Sequence, residues 1–278
     1  MTPLQDIPVV ILCGGKGTRF REQTEYRPKP MIEIGGRPIL WHIMRFYAGH
    51  GFRRFVLCLG YKADVIKRYF LDYAAIETDF TVRLDRPGAI EYHRGVPADW
   101  TVTCVDTGLD AMTGARLKRV APFLQGPEFL LTYGDGLADV DVPATLAFHR
   151  SHGRVATVTG VRPQSRFGEL VVVGDRVERF SEKPSVEQGY INGGFFVFAR
   201  KMLDYVTADD ACILERAPLE HVAADGELMV YPHHGYWQCM DTLRDLMRLE
   251  DAWNAGDAPW VPSPSPSTSA TPSSKVSL

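Results

Sequence analysis

The chain opens on an apolar run at residues 9–12, Val-Val-Ile-Leu, whose β-branched side chains predict a buried strand. Residues 55–59 repeat that signal and stop at Gly60. Between them, Ile39, Ile43 and Phe46, with Leu40, Met44 and Tyr47, recur at helical spacing. Pro38 suits the first turn of that helix, and Gly51 its end. Residues 63–73 predict a second helix. Strand, helix, strand, helix with short links predicts a parallel sheet with right-handed crossovers. Further along, residues 101–105, 128–133 and 154–161 predict strands, and 115–123 and 142–152 predict helices. Residues 79–100, interrupted by Pro87, Gly88, Gly95 and Pro97, read as strand fragments and an insertion.

The second half is less regular. Residues 171–173 and 177–180 predict antiparallel strands, 190–199 a long apolar strand, 227–231 and 236–240 further strands, and 242–253 a last helix. From Gly256 onward Pro, Ser and Thr dominate, a composition that cannot bury enough surface to order itself. The fold class expected is α/β: a mostly parallel central sheet flanked by helices, with a smaller antiparallel portion.

The chain has 278 residues, 45% of them hydrophobic, which is ample for one large domain or two smaller ones. A net charge of -3 and a pI near 6.2 argue against nucleic acid or an anionic membrane as partner. The five cysteines are scattered without a Cys-x-x-Cys pair, which fits a reducing, cytoplasmic setting. No signal peptide is expected, and no apolar run is long enough to span a bilayer.

Candidate chemistry follows the first strand directly. Gly14-Gly15-Lys16-Gly17-Thr18-Arg19 is a glycine-rich turn leaving a buried strand, so backbone N–H groups can approach an anion. Arg19 and Lys29 add fixed positive charge to the same mouth, and the combination suggests a polyphosphate. A dinucleotide fingerprint would need glycine where Phe20 stands, and a P-loop would need its lysine later than Lys16. In open parallel sheets ligands sit at the carboxyl ends of the strands, where this turn lies. Asp135 ends the 128–133 run between Gly134 and Gly136, and Asp241 ends the 236–240 run; each could hold a hard cation such as Mg²⁺. A turn aspartate at 135 and an N-cap at 241 or 242 are the alternatives. Lys183 and Asn192 could meet a sugar phosphate, or be a turn lysine and a bulge asparagine.

The two-part pattern Gly-Gly-x-Gly-Thr-Arg with Lys29-Pro30 resembles the signature of sugar-1-phosphate nucleotidylyltransferases. The stretches from Lys29 to His42, Val105 to Gly108, Met112 to Lys118, Tyr133 to Gly136, Ile191 to Phe195 and Trp237 to Asp241 resemble the glucose-1-phosphate cytidylyltransferases among them. The likeness spans about residues 7–255. It departs mildly at Cys13, where a small alanine is usual. It implies a single Rossmann-like nucleotidyltransferase domain, with a nucleotide-binding half at 7–160, a sugar-phosphate half at 161–255, and a tail at 256–278.

The resemblance further implies CTP and glucose 1-phosphate as substrates and CDP-glucose and pyrophosphate as products, for deoxysugar or surface polysaccharide biosynthesis. It implies Mg²⁺ on Asp135 and Asp241, and a homo-oligomer. It assigns the nucleotide to Leu12, Cys13, Gly14, Gly15, Lys16, Gly17, Thr18, Arg19, Lys29, Thr107, Thr113, Gly114, Arg116, Tyr133 and Gly134. The sugar phosphate goes to Gly168, Glu182, Lys183, Asn192 and Gly193, and the chemistry to Arg19, Lys29 and Lys183. Cytosine offers two adjacent acceptors, O2 and N3, where uracil presents a donor at N3. A guanidinium fork separates the two bases, and Arg116, after the Thr113-Gly114 turn, is the expected fork. Carbonyls of the Thr107 or Gly114 segments would accept from the amino group.

Overall fold

The computed structural model describes residues 2–17, 20, 24–86, 88–95, 98–162, 169–173, 176–181 and 189–262. Seven strands share one sheet: β1 (Pro8–Leu12), β2 (Arg54–Leu59), β3 (Thr101–Asp106), β4 (Glu128–Tyr133), β5 (Ala156–Val161), β6 (Ile191–Ala199) and β7 (Leu228–His233). Their order is β7-β5-β6-β4-β1-β2-β3. β1 is parallel to β2 and β4, β2 to β3, and β5 to β7, while β6 runs antiparallel to β4 and β5. Four separate two-stranded antiparallel pairs decorate this sheet.

The central strands β1, β2 and β4 are almost wholly buried because both faces of the sheet are covered there. All five residues of β1 are buried, and the four from Val9 to Leu12 alternate between two cores. Val9 and Ile11 pack with Phe55, Leu57 and Leu130 on one face; Val10 and Leu12 pack with Val56, Leu117 and Leu131 on the other. The helix Ile39–Gly49 covers the first face, with eight buried side chains, and the helix Thr113–Arg119 contributes Leu117 to the second.

Several local readings shift. The helix expected over 115–123 starts at Thr113 and ends at Arg119, and a 3-10 turn, Ala121–Phe123, follows. Pro122 lacks the N–H an α-helix needs there. The helix over 63–73 breaks into Ala63–Leu71 and Tyr73–Glu77. Phe80–Val82 and Ile90–Tyr92 pair as an exposed hairpin within the irregular 79–100 stretch. The helix Ala217–Ala224, with Pro218 in its first turn, has no counterpart in the sequence reading. All five cysteines are free. Among the described residues no helix is long and apolar enough to cross a membrane.

The expected boundary at 256 is too early. Trp260 is 1% exposed and packs in the first core, with Ala258 and Val261 against it. Its Nε1–H donates to His42 Nδ1 at 3.3 Å, and His42 Nε2–H donates to the Ile34 carbonyl at 2.9 Å. Composition alone hides this anchor because one large aromatic outweighs several polar neighbours. Residues 263–278 lie outside the described residues.

His42 is held neutral with both ring nitrogens engaged. Burial, aided by Arg45 and Arg37, lowers its pKa to about 4. His149, bonded through Nδ1 to Thr157 Oγ1 at 2.9 Å, is likewise lowered to about 4 by burial and by His152. An unfolded histidine titrates near 6.5, so below that pH the unfolded chain binds protons that the folded chain refuses. Stability is therefore full above pH 6.5 and falls as the pH drops toward 4, by up to about 3 kcal/mol per histidine at about 1.4 kcal/mol per pH unit. Denaturant melts across this range should show the loss, and His42→Gln should remove the His42 share while leaving that of His149; a pH-independent midpoint would contradict the assignment.

Candidate active site

A cleft of about 710 Å³ opens where β1 and β4 end. Leu12, Cys13, Gly14, Gly15 and Gly17 line one wall, and Tyr133, Gly134 and Asp135 lie beside them. Lys29, Thr113, Arg116, Asn192, Gly193 and Asp241 complete the predicted residues that reach it. Thr18, Arg19, Gly168, Glu182 and Lys183 lie outside the described residues. Lys16, Thr107 and Gly114 do not line the cleft. Lys16 extends from the glycine-rich turn to Asp110, 2.8 Å away, in an exposed pair across the mouth.

Two distant aspartates meet here because of strand pairing. The strand Trp237–Cys239 runs antiparallel to Gly136–Ala138, with Cys239 opposite Gly136, and Met240 N–H donates to the Asp135 carbonyl at 2.8 Å. That register sets Asp135 beside Asp241. Thr242, not Asp241, caps the helix Leu243–Asn254 in a capping box with Asp245. The carboxylate of Asp241 is therefore directed at the cleft. At Gly134 a Cβ would come within 2.8 Å of the Leu12 carbonyl and 3.0 Å of Pro30, so only glycine lets the Lys29–Met31 turn close on the strand ends.

The Lys29 ammonium donates to Asp135 Oδ2 at 2.6 Å and Asp241 Oδ1 at 2.8 Å. Burial works against its charge, but Asp135 and Asp241 outweigh that and raise its pKa above the ordinary lysine value. Both carboxylates converge on one cationic atom while staying about 30% exposed to the cleft. Two hard oxygen donors from separate strand ends, open toward the cleft, suit a divalent cation of the Mg²⁺ type. Among the described residues no group of three or more acidic, histidine or cysteine side chains offers a fuller metal site.

Neither cysteine of the cleft, Cys13 or Cys239, is poised as a thiolate. Burial pushes the Cys13 thiol far up, and burial with Asp241 and Asp135 raises Cys239 to about 12.

Arg116 departs from the expected open fork. It is 4% exposed, and Nη1 donates to the Leu59 carbonyl at 3.0 Å, Thr107 Oγ1 at 2.8 Å and the Gly108 carbonyl at 2.8 Å. Nη2 donates to the carbonyls of Gly14 at 3.0 Å and Leu109 at 3.4 Å. A Cβ on Gly14 would lie 2.1 Å from Nη1, so the glycine-rich turn is shaped around this guanidinium. The arginine is neither an idle surface residue nor free to read a base edge as it stands; it clamps the turn at Gly14 to the 107–109 segment. Thr107 is buried, and its carbonyl accepts from Arg119 Nη1 at 2.7 Å. Gly114 N–H donates to the Cys212 carbonyl at 3.0 Å. Neither Thr107 nor Gly114 is placed to face a base, because both belong to the packing that seats the helix Thr113–Arg119.

Sequence reasoning missed Glu215, which lines the cleft and accepts from Thr113 Oγ1 at 2.6 Å and Tyr133 OH at 2.5 Å. No spacing or motif around it signals this position. Trp237, which also lines the cleft, donates through Nε1 to the Gly193 carbonyl at 2.7 Å.

A family model described as nucleotidyl transferase matches residues 8–250. The glucose-1-phosphate cytidylyltransferase of Salmonella typhi is 49% identical over 252 residues, covering 90% of this chain and 97% of that protein. A probable glucose-1-phosphate cytidylyltransferase of Bacillus subtilis is 44% identical over 251 residues, covering 90% and 98%. In shape the chain is similar to HddC from Yersinia pseudotuberculosis, with a TM-score of 0.65 at 23% identity, over 89% of this chain and 99% of that one.

Proposed function

The chain belongs to the nucleotidyl transferase family, and on that premise we propose that its cleft transfers CMP from CTP to α-D-glucose 1-phosphate, releasing CDP-glucose and pyrophosphate. The observation that carries this reading is near-full-length identity at 49% to a glucose-1-phosphate cytidylyltransferase, in a chain whose Lys29, Asp135 and Asp241 meet at the strand ends.

The chemistry asks little of side chains as bases. A phosphate monoester's second pKa is about 6, so the sugar phosphate is already largely a dianion at neutral pH and is its own nucleophile. What remains is alignment and charge neutralisation at the α-phosphate. The backbone of the 14–17 turn and Arg19 hold the triphosphate and the departing pyrophosphate. Lys29 would neutralise charge developing around the α-phosphate, and Asp135 and Asp241 would hold a divalent cation. When bound, that cation supplies positive charge to the phosphate oxygens. Lys183 and Glu182, with Gly168, Asn192 and Gly193, seat the sugar phosphate. Arg116 serves the nucleotide end by fixing the walls around it. A homo-oligomer working in the cytoplasm, upstream of deoxysugar or surface polysaccharide assembly, completes the proposal.

Pyrophosphate release with glucose 1-phosphate and a panel of CTP, UTP, GTP, ATP and dTTP tests it. CTP should be preferred, as the likeness to glucose-1-phosphate cytidylyltransferases over nearly the whole chain implies. Release with another triphosphate and not CTP overturns the base assignment, and no release with any overturns the enzyme. The same panel separates two roles for Arg116. As a clamp, Arg116→Ala strands buried carbonyls and should lower kcat/KM for CTP and UTP alike while dropping the melting temperature by several degrees. A narrowed CTP-to-UTP ratio at an unchanged melting temperature would instead restore the base-reading fork.

A further inference from the structure

The hydrogen bonds around Glu215 run in one direction only, and that direction reaches the sugar side of the cleft. Thr113 Oγ1 accepts from Leu214 N–H at 2.9 Å, so its own proton goes to Glu215 Oε2. Asn192 Oδ1 accepts from Gly194 N–H at 2.8 Å, which fixes the amide with Nδ2 toward Tyr133, 3.1 Å away. Tyr133 OH thus accepts from Asn192 and must direct its proton to Glu215 Oε1. A carboxylate accepts only, so it can terminate both chains, whereas a hydroxyl or amide in its place could reverse one of them. Tyr133 cannot become the charged member: burial and Glu215 together push its pKa well above the ordinary tyrosine value.

We infer that Glu215 is a positioning residue for the sugar phosphate, acting through Tyr133 to hold the exposed amide of Asn192 as a hydrogen-bond donor, while its second oxygen ties the same carboxylate to Thr113 at the nucleotide end. The inference rests on the reading of the cleft given above. One Nδ2 hydrogen of Asn192 serves Tyr133; the other is left for a ligand acceptor, which on that reading is a sugar hydroxyl oxygen. Glu215 touches no reacting atom. Its role is to set the polarity of a residue that meets the substrate and to link the helix Thr113–Arg119 with the end of β4 and the start of β6.

The test is a double-mutant cycle read in steady-state kinetics. Glu215→Ala should raise KM for glucose 1-phosphate by about tenfold, the scale of one oriented hydrogen bond, with a smaller change in kcat. In an Asn192→Ala background the same substitution should add less than about twofold to that KM, because the group it positions is gone. The part transmitted through Thr113 should persist in both backgrounds as a rise in KM for CTP. Equal effects on the sugar-phosphate KM in the two backgrounds, or no effect in the parent, overturn the inference. Should Glu215→Ala fail to fold, Tyr133→Phe removes one hydroxyl from the chain and must show the same dependence on Asn192. If the unmodified enzyme does not turn over glucose 1-phosphate, the substrate reading fails separately. The coupling is then read on ligand-free protein, where Glu215→Ala should shift the Asn192 side-chain amide resonance and an unmoved resonance overturns it.

Discussion

Asp135→Ala and Asp241→Ala are each expected to leave a folded protein whose turnover is lower by about a hundredfold or more. The carboxylates lie within 2.6 and 2.8 Å of the same ammonium, just beyond the ends of their strands. On the proposed function each would supply one of two protein oxygens to a divalent cation, whose charge stabilisation at the reacting phosphates is worth several kcal/mol. Stability should change less, since Lys29 keeps its other partner and both acids are partly solvated. The loss should fall on kcat rather than on KM for either substrate, because the charge is needed most in the transition state. Near-parental turnover of both variants at saturating Mg²⁺ would remove the two aspartates from the metal site.

A chain ended after Gly256 should melt on the order of 10 °C below the full chain. The cut deletes Trp260, one of the largest fully buried side chains, together with its hydrogen bond to His42. Losing a buried aromatic of this size costs about 3–5 kcal/mol, and about 2–4 °C follows per kcal/mol in a domain of this order. The cut also leaves His42 Nδ1 without its donor, inside an apolar shell. A chain ended after Pro262 keeps the anchor, and the polar composition of what it removes predicts an unchanged melting temperature. Equal melting of all three chains would show that Trp260 contributes nothing to the core.

Much of this molecule is written in short stretches of sequence. The runs that became β1, β2 and β4 are apolar over three or more consecutive residues, and such runs fold as buried strands wherever helices cover both faces. The helix Val142–His152 has the bounds its pattern predicts, with Asp141 accepting from Ala144 N–H at its start and Gly153 in left-handed conformation at its end. The glycine-rich turn after β1 is legible as a run of glycines, and the structure needs two of them: Gly14 for the close approach of Arg116 and Gly17 for its left-handed conformation. These signals are local, and local chemistry decides them.

What the tertiary structure decided is which distant residues share a wall. Asp135 and Asp241 are separated by about a hundred residues, and only the register of Trp237–Cys239 on Gly136–Ala138 sets them around Lys29. Arg116 looked like a donor fork because side-chain chemistry says what a guanidinium can bind; packing against Gly14, Leu59 and Gly108 says what it does bind. Glu215 carries no pattern at all, and it enters the cleft because the 210–215 segment packs on the start of the helix Thr113–Arg119. Trp260 stayed hidden in a polar tail for the same reason. By itself the sequence determined the strands, the glycine-rich turn and the family, since each rests on residues that are neighbours in the chain. The partners of Lys29, Arg116, Glu215 and Trp260 were left to the fold, because burial and hydrogen bonding are satisfied across the sheet and not along the backbone.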